Sequence, residues 1–167
     1  MANPIMESGK GVTVETPGDR DVVVTRIFDA PRDLVFDCFT KPDLVPRWLL
    51  GPPGWTMPVC TIDFRVGGKY RYEWRSAAGK TMAVSGTFRE LAPPARIVHS
   101  ERFDEDWTGG EALVTTVFTE NAGKTTVVMT IRFASAEARA GAVATGMTRG
   151  MAQSYDRLDD LLASGAG

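Results

Sequence analysis

The chain is poor in the residues that build covalent or metal-held frameworks. Its 167 residues include two cysteines, Cys38 and Cys60, and a single histidine, His99. Two distant thiols make no disulfide framework, and neither stands in a C-x2-C spacing. Both read as small buried hydrophobes, which suits a reducing compartment. One histidine and two separated cysteines form no zinc-ligand pattern, so no metal is expected. Charge of one sign is also missing: 19 Lys and Arg face 21 Asp and Glu, a net charge of -2 with no basic stripe. A protein that neutralises phosphates needs such a stripe, so no nucleic-acid partner is expected. No apolar run approaches the roughly 20 residues of a spanning helix, and the N-terminal MANPIMESGKGVTVE holds no signal-peptide core. The expectation is a soluble, cytoplasmic protein with no membrane span. Gly67-Gly68 is followed by no G-K-S/T, so it reads as a turn, not a phosphate cradle, and no cofactor is expected.

What is present is a core. Hydrophobic residues make up 43% of the chain, enough for one domain of this length. Residues 1–18 read as a partly ordered N-terminal tail and 19–164 as the domain. The first ten or so residues and the terminal SGAG are expected to fray.

The order of elements is the informative part. DVVVTRIF, Asp21 to Phe28, reads as a first strand. Pro31 suits the start of a helix, on which Leu34, Val35, Cys38 and Phe39 share a face. Pro42 opens a second short helix with Leu44, Val45, Trp48 and Leu49, stopped by Gly51-Pro52-Pro53-Gly54. The period then changes to two. Trp55, Met57 and Val59 alternate. In KYRYEWR, Tyr70, Tyr72 and Trp74 share one face, and Lys69, Arg71, Glu73 and Arg75 the other. Met82, Val84, Gly86 and Phe88 continue one face beyond the turn at Ser76-Ala77-Ala78-Gly79. Ala92-Pro93-Pro94-Ala95 turns the chain into a strand from Arg96 to Phe103. EALVTTVFTE and TTVVMTIRF form a hairpin closed at Asn121-Ala122-Gly123-Lys124.

The last segment is helical. Ser135 caps it, Glu137 sits in its first turn, and Val143, Met147, Met151, Ser154, Leu158 and Leu161 make a single stripe. An unbroken helix from Ser135 to Ala163 would be roughly 43 Å long. Gly146 and Gly150, four apart, would allow close approach of a neighbouring element. The assembly is an α+β fold: a curved antiparallel sheet of six or seven strands wrapped around a long C-terminal helix. Two short helices follow the first strand and plug one end. Such a wrap tends to leave an apolar interior space, a usual small-molecule site.

These pieces resemble the SRPBCC (START-like, helix-grip) superfamily. Within it, the chain is similar to bacterial proteins resembling the C-terminal domain of the heat-shock-chaperone ATPase activator. RIFDAPRDLVFD, PRWLLGPPGW, MPVCTIDFRVGGKYRYEWR, SGTFREL, ERFDE, EALVTTVF and SAEARAGAVATGMTRGMAQSYDRLDDLL carry the likeness, over about residues 20 to 163. Where many members have a tryptophan after the second helix glycine, this chain has Met151. The resemblance implies the helix-grip fold and, more weakly, the binding of lipids, hormones or other apolar ligands. A fold does not carry one function. The eukaryotic co-chaperone has an additional N-terminal domain that helps grip the chaperone, and no counterpart of it is expected in these 167 residues.

The expected function is therefore binding of a hydrophobic small molecule or lipid between sheet and C-terminal helix. The expected lining is Trp48, Trp55, Met57, Tyr70, Tyr72, Trp74, Met82, Val84, Met147, Met151 and Tyr155. Ordinary packing is the plain alternative for the aromatic face and for the methionines, although tyrosine and tryptophan carry polar tips that need partners when buried. No catalytic residue is assigned. If catalytic, His99 is the natural general base near neutral pH, with Glu101 or Arg102 as partners, but a strand histidine satisfied by a turn is the preferred reading. Asp63 or an inward Arg102 is a candidate to orient a polar ligand end, and cross-strand pairing on the outer surface is the alternative. Trp107, in the acidic loop DEDWTGG, is either tucked under the core edge or exposed as a lid. Two rivals stand beside ligand binding: a co-chaperone-like stress-response interaction module, and a cyclase or hydratase built on His99 and Glu101. A homodimer through a sheet edge or the helical end is compatible with the sequence, which specifies none.

Overall fold

The computed structural model describes residues 12–107 and 109–165, together with the backbone of 5–7. Among the described residues nine strands form one antiparallel sheet in the order β1-β2-β3-β9-β8-β7-β6-β5-β4. The expected strands are β3 (Asp21–Phe28), β4 (Trp55–Ile62), β5 (Lys69–Ser76), β6 (Thr81–Ala92), β7 (Arg96–Phe103), β8 (Ala112–Asn121) and β9 (Lys124–Arg132). Two three-residue strands, β1 (Ile5–Glu7) and β2 (Thr13–Glu15), extend the β3 edge. The expectation of frayed ends concerns stretches that lie largely outside the described residues.

Alternation drives the sheet. β3 pairs with β9 along its whole length, so the first and last long strands meet. On β3 the even residues Val22, Val24, Arg26 and Phe28 are buried while Ile27 is exposed. The β8–β9 hairpin closes where Ala122 and Gly123 take φ of 55° and 78°, the left-handed pair that a two-residue turn with right-handed strand twist requires.

Helix α1 (Arg32–Thr40) follows Pro31 as expected, and Pro31 stands at its N-cap position. The backbone N–H of Arg32, an orphan donor of the first turn, is satisfied by Glu120 Oε1 at 2.7 Å. The second short helix is reduced to one 3-10 turn, Val45–Arg47. Prolines at 42 and 46, with Gly51 soon after, leave no room for an α-helical ladder.

The C-terminal segment differs from the single helix that its stripe predicts. It is split into α2 (Ala136–Ala144) and α3 (Met147–Ala163) at Gly146, whose φ of 83° is left-handed. The stripe survives the break because α3 is long enough to form its own face: Tyr155, Leu158, Leu161 and Leu162 are buried. Ser135 caps α2 by accepting from Ala138 N at 3.0 Å. Of the two glycines, Gly150 does lie against the chain, with room for a Cβ 3.8 Å from Pro52, whereas Gly146 has nothing near it and serves only the turn.

α3 is held to the sheet by a buried cation as well as by apolar contact. Arg26, only 2% exposed, meets Asp156 Oδ1 at 2.8 Å and Asp159 Oδ2 at 3.4 Å.

Candidate ligand cavity

Between the concave face of the sheet and α3 lies a cavity of about 560 Å³, within the roughly 300–1,000 Å³ of ordinary small-molecule sites. Strand alternation supplies its walls. β5 presents Tyr70, Tyr72 and Trp74, β6 presents Met82, Val84 and Phe88, and β7 presents Ile97, His99, Glu101 and Phe103. Val114 and Thr116 of β8 and Met129 and Ile131 of β9 complete the floor. Met147, Gly150, Met151, Ser154 and Tyr155 of α3 close it from above, with Leu49–Pro52 and Trp107 alongside.

The large aromatic side chains are locked by their polar tips. Trp48 Nε1 donates to Cys38 O at 2.8 Å, Trp74 Nε1 to Leu49 O at 2.8 Å, and the Tyr70 hydroxyl to Ser100 O at 2.9 Å. The loop over the cavity is tied to α3. Gly51 N donates to Ser154 Oγ at 2.8 Å, and Arg157 donates to Gly51 O at 2.6 Å. These bonds hold the walls apart, because a ring fixed at both ends cannot collapse inward.

Of the lining expected from sequence, Trp48, Trp55, Tyr70, Tyr72, Trp74, Met82, Val84, Met147, Met151 and Tyr155 face this space. Met57 does not: it is buried but off the cavity wall. The β4–β5 register shifts between Thr56 and Val59. Met57 itself keeps the alternation with Trp55, buried between the exposed Thr56 and Pro58, and packs into the core.

Sequence reasoning missed much of the floor. Met129, Ile131, Val114 and Thr116 carry the same period-two signal as β5, and the hairpin register would have found them. Asp63 and Arg102 do not reach the cavity. Asp63 pairs with Arg65 at 2.9 Å, and Arg102 is exposed. Trp107 proves to be tucked in, its ring 4.5 Å from that of Phe103. Both cysteines are free thiols, Cys38 fully buried and Cys60 half-buried, and burial pushes each up to about 11. They are protonated and unreactive at neutral pH.

The polar groups inside are few. His99 Nδ1 lies 3.0 Å from Ser100 O, so the ring is satisfied by its neighbour's carbonyl. Burial lowers its proton affinity and keeps it neutral. The Tyr155 hydroxyl and Trp107 Nε1 are buried with no partner among the described residues. Glu101 is the outlier. Its carboxyl has no hydrogen-bond or ion-pair partner among the described residues, and desolvation raises it from 4.5 to about 7.

A carboxyl whose folded pKa is raised favours the fold below its unfolded pKa and loses that contribution as pH climbs through the folded value. The window runs from 4.5 to about 7. Glu101→Gln is therefore expected to be more stable than the parent at about pH 8, by on the order of 2–3 kcal/mol. The difference should vanish near pH 4.5. Urea unfolding at both pH values checks this; a gap of the same size at both would refute it.

The family described as Activator of Hsp90 ATPase homolog 1-like protein matches residues 29–163. Among solved structures, a Rhodobacter sphaeroides protein is 32% identical with a TM-score of 0.87, over 93% of this chain and 99% of that one. An Arthrobacter aurescens protein (23% identical, TM-score 0.82, 95% of each chain) shares the fold. So does a Mycobacterium smegmatis protein (22%, 0.80, 95% of this chain and 97% of that one). No curated protein matches the sequence.

Proposed function

This chain belongs to the family of Activator of Hsp90 ATPase homolog 1-like proteins, and we propose that it holds a hydrophobic small molecule between the sheet and α3. The observation that carries this reading is the cavity itself: about 560 Å³ of space walled by aromatic, methionine and aliphatic side chains. A well-packed core has few voids larger than a water molecule. Here three aromatic tips are tied to backbone carbonyls that keep the walls apart. Trp48, Trp55, Tyr70, Tyr72, Trp74, Met82, Val84, Met147, Met151 and Tyr155 are the residues assigned to the ligand. Methionines on α3 suit a ligand of irregular outline, since the thioether adapts its shape.

Native mass spectrometry of freshly purified protein, set against the same sample denatured, tests the reading. A reproducible extra mass that disappears on denaturation supports it. Absence of that mass together with no uptake of the neutral apolar dye Nile red overturns it.

Met151→Trp is the matching substitution. An indole in place of the thioether takes volume from the ligand, and Nile red affinity is expected to fall about tenfold, roughly 1.4 kcal/mol. Unchanged affinity with an intact circular dichroism spectrum would remove Met151 from the site.

The interaction-module rival calls for a joined exposed apolar patch. Among the described residues the exposed large hydrophobics are Ile27, Val66 and Leu113. Ile27 pairs with Thr126 of β9 and Leu113 with Arg132, six residues along the same strand, so these two stand apart.

A further inference from the structure

The cavity is charged on one side only. Among the described residues no lysine or arginine lines it; the titratable lining groups besides phenols are Glu101, Glu105 and His99, and His99 is held neutral by burial. Two arginines of the sheet are paired outside it. Arg71 is bound to Glu73 and Asp104 on the outer face, and Arg89 to Glu111. Glu101 sits on β7 between His99 and Phe103 with no partner among the described residues.

Rings run beside it without a gap. Centroid separations are 5.0 Å for His99–Tyr70, 5.0 Å for Tyr70–Tyr72, 5.9 Å for Tyr72–Trp74 and 6.5 Å for Trp74–Phe103. A half-buried carboxyl set among rings with no partner among the described residues is costly. A cation placed there gains a charge-assisted hydrogen bond to the carboxylate and the attraction of the ring faces. Among the described residues an anionic headgroup would meet two carboxylates and no cation.

We propose that the cavity takes a hydrophobic amine, its protonated nitrogen held by Glu101 beside the aromatic wall and its apolar body filling the space under α3. This rests on the ligand-binding reading above and narrows it to one class. The groups that face Glu101 are Tyr70 and Tyr72 from β5, His99 from its own strand and Glu105 at the rim, with Cys60 of β4 behind Tyr72. From α3 the titratable group is Tyr155, while the lining residues of β6, β8 and β9 carry none. The phenols are raised by burial and stay neutral. The charge that a ligand meets inside the cavity above about pH 7 is therefore that of Glu101.

Displacement of Nile red by dodecylamine, dodecanol and dodecanoate, each below its micelle concentration at about pH 8, tests this. The amine is expected to bind at least about tenfold more tightly than the alcohol, with dodecanoate weakest. In Glu101→Gln the amine-to-alcohol ratio should fall to near one. In the parent it should fall the same way well below pH 7, where Glu101 takes up its proton. Equal affinities, or dodecanoate binding tightest, would overturn the amine assignment and leave the cavity reading standing. If Nile red enters the cavity in neither protein, both readings fail.

Discussion

Gly86→Ala is expected to cost the fold about 3–5 kcal/mol, a large share of the 5–15 kcal/mol that holds a typical domain. Gly86 is paired with Tyr70 across β5 and β6. The Tyr70 ring crosses β6 over this glycine so that its hydroxyl can reach Ser100 O on β7, 2.9 Å away. A Cβ at position 86 would overlap the Ser100 carbonyl oxygen and stand 2.6 Å from Tyr70 Cε1. The carbonyl is backbone and cannot swing aside, so β6 and β7 must separate or the tyrosine must leave. Either loses a buried hydrogen bond and opens the aromatic wall of the cavity. Urea denaturation measures the loss, and Gly141→Ala is the control. Gly141 lies exposed within α2, with nothing within 4 Å of an added Cβ, and the alanine there should stabilise by about 0.5–1 kcal/mol. If Gly86→Ala stayed within about 0.5 kcal/mol of the parent, the crossing of Tyr70 over β6 would not be as described.

The second large effect is expected at the base of α3. Replacing both Asp156 and Asp159 with alanine leaves the Arg26 guanidinium, 2% exposed, with no counter-charge. Breaking a buried pair costs about 3–5 kcal/mol. The two aspartates are themselves 43% and 36% exposed, so water can partly replace them and the loss should sit near about 3 kcal/mol. Amide exchange in α3 should accelerate with it, because Arg26 is the charged tie from this helix to β3. Phe28 gives the guanidinium a ring face 5.5 Å away, which is too weak to stand in for two carboxylates. Adding Arg26→Met to the double variant removes the orphaned charge and should recover most of the loss, since an apolar side chain of similar length suits that site. A double variant as stable as the parent would show that Arg26 does not need its partners.

These two sites differ in how far they could be read in advance. The alternation of Tyr70, Tyr72 and Trp74 places three rings on one face, and strand period alone is enough for that. That a ring would pass over Gly86 depends on the pairing of β5 with β6, which no local pattern contains. Arg26 stands among apolar neighbours on β3, and its burial depends on two aspartates 130 and 133 residues later. Met57 faces inward, as its alternation with Trp55 predicts, but whether an inward side chain borders the cavity or packs into the core depends on what surrounds it. The break at Gly146 was hidden because a glycine inside an amphipathic stripe fits either a continuous helix or a left-handed turn.

The sequence by itself determined what local periodicity can express: an antiparallel sheet, a helix after Pro31, an amphipathic C-terminal segment and aromatic side chains turned inward. Only the tertiary structure decided that those side chains surround a space rather than one another. Backbone carbonyls of Cys38, Leu49 and Ser100 tie the tips of Trp48, Trp74 and Tyr70. It also decided that Glu101 faces that space with no partner among the described residues. Burial and the absence of a partner are sums over every strand and helix that surrounds a residue, and period-two alternation carries no information about what arrives from across the sheet.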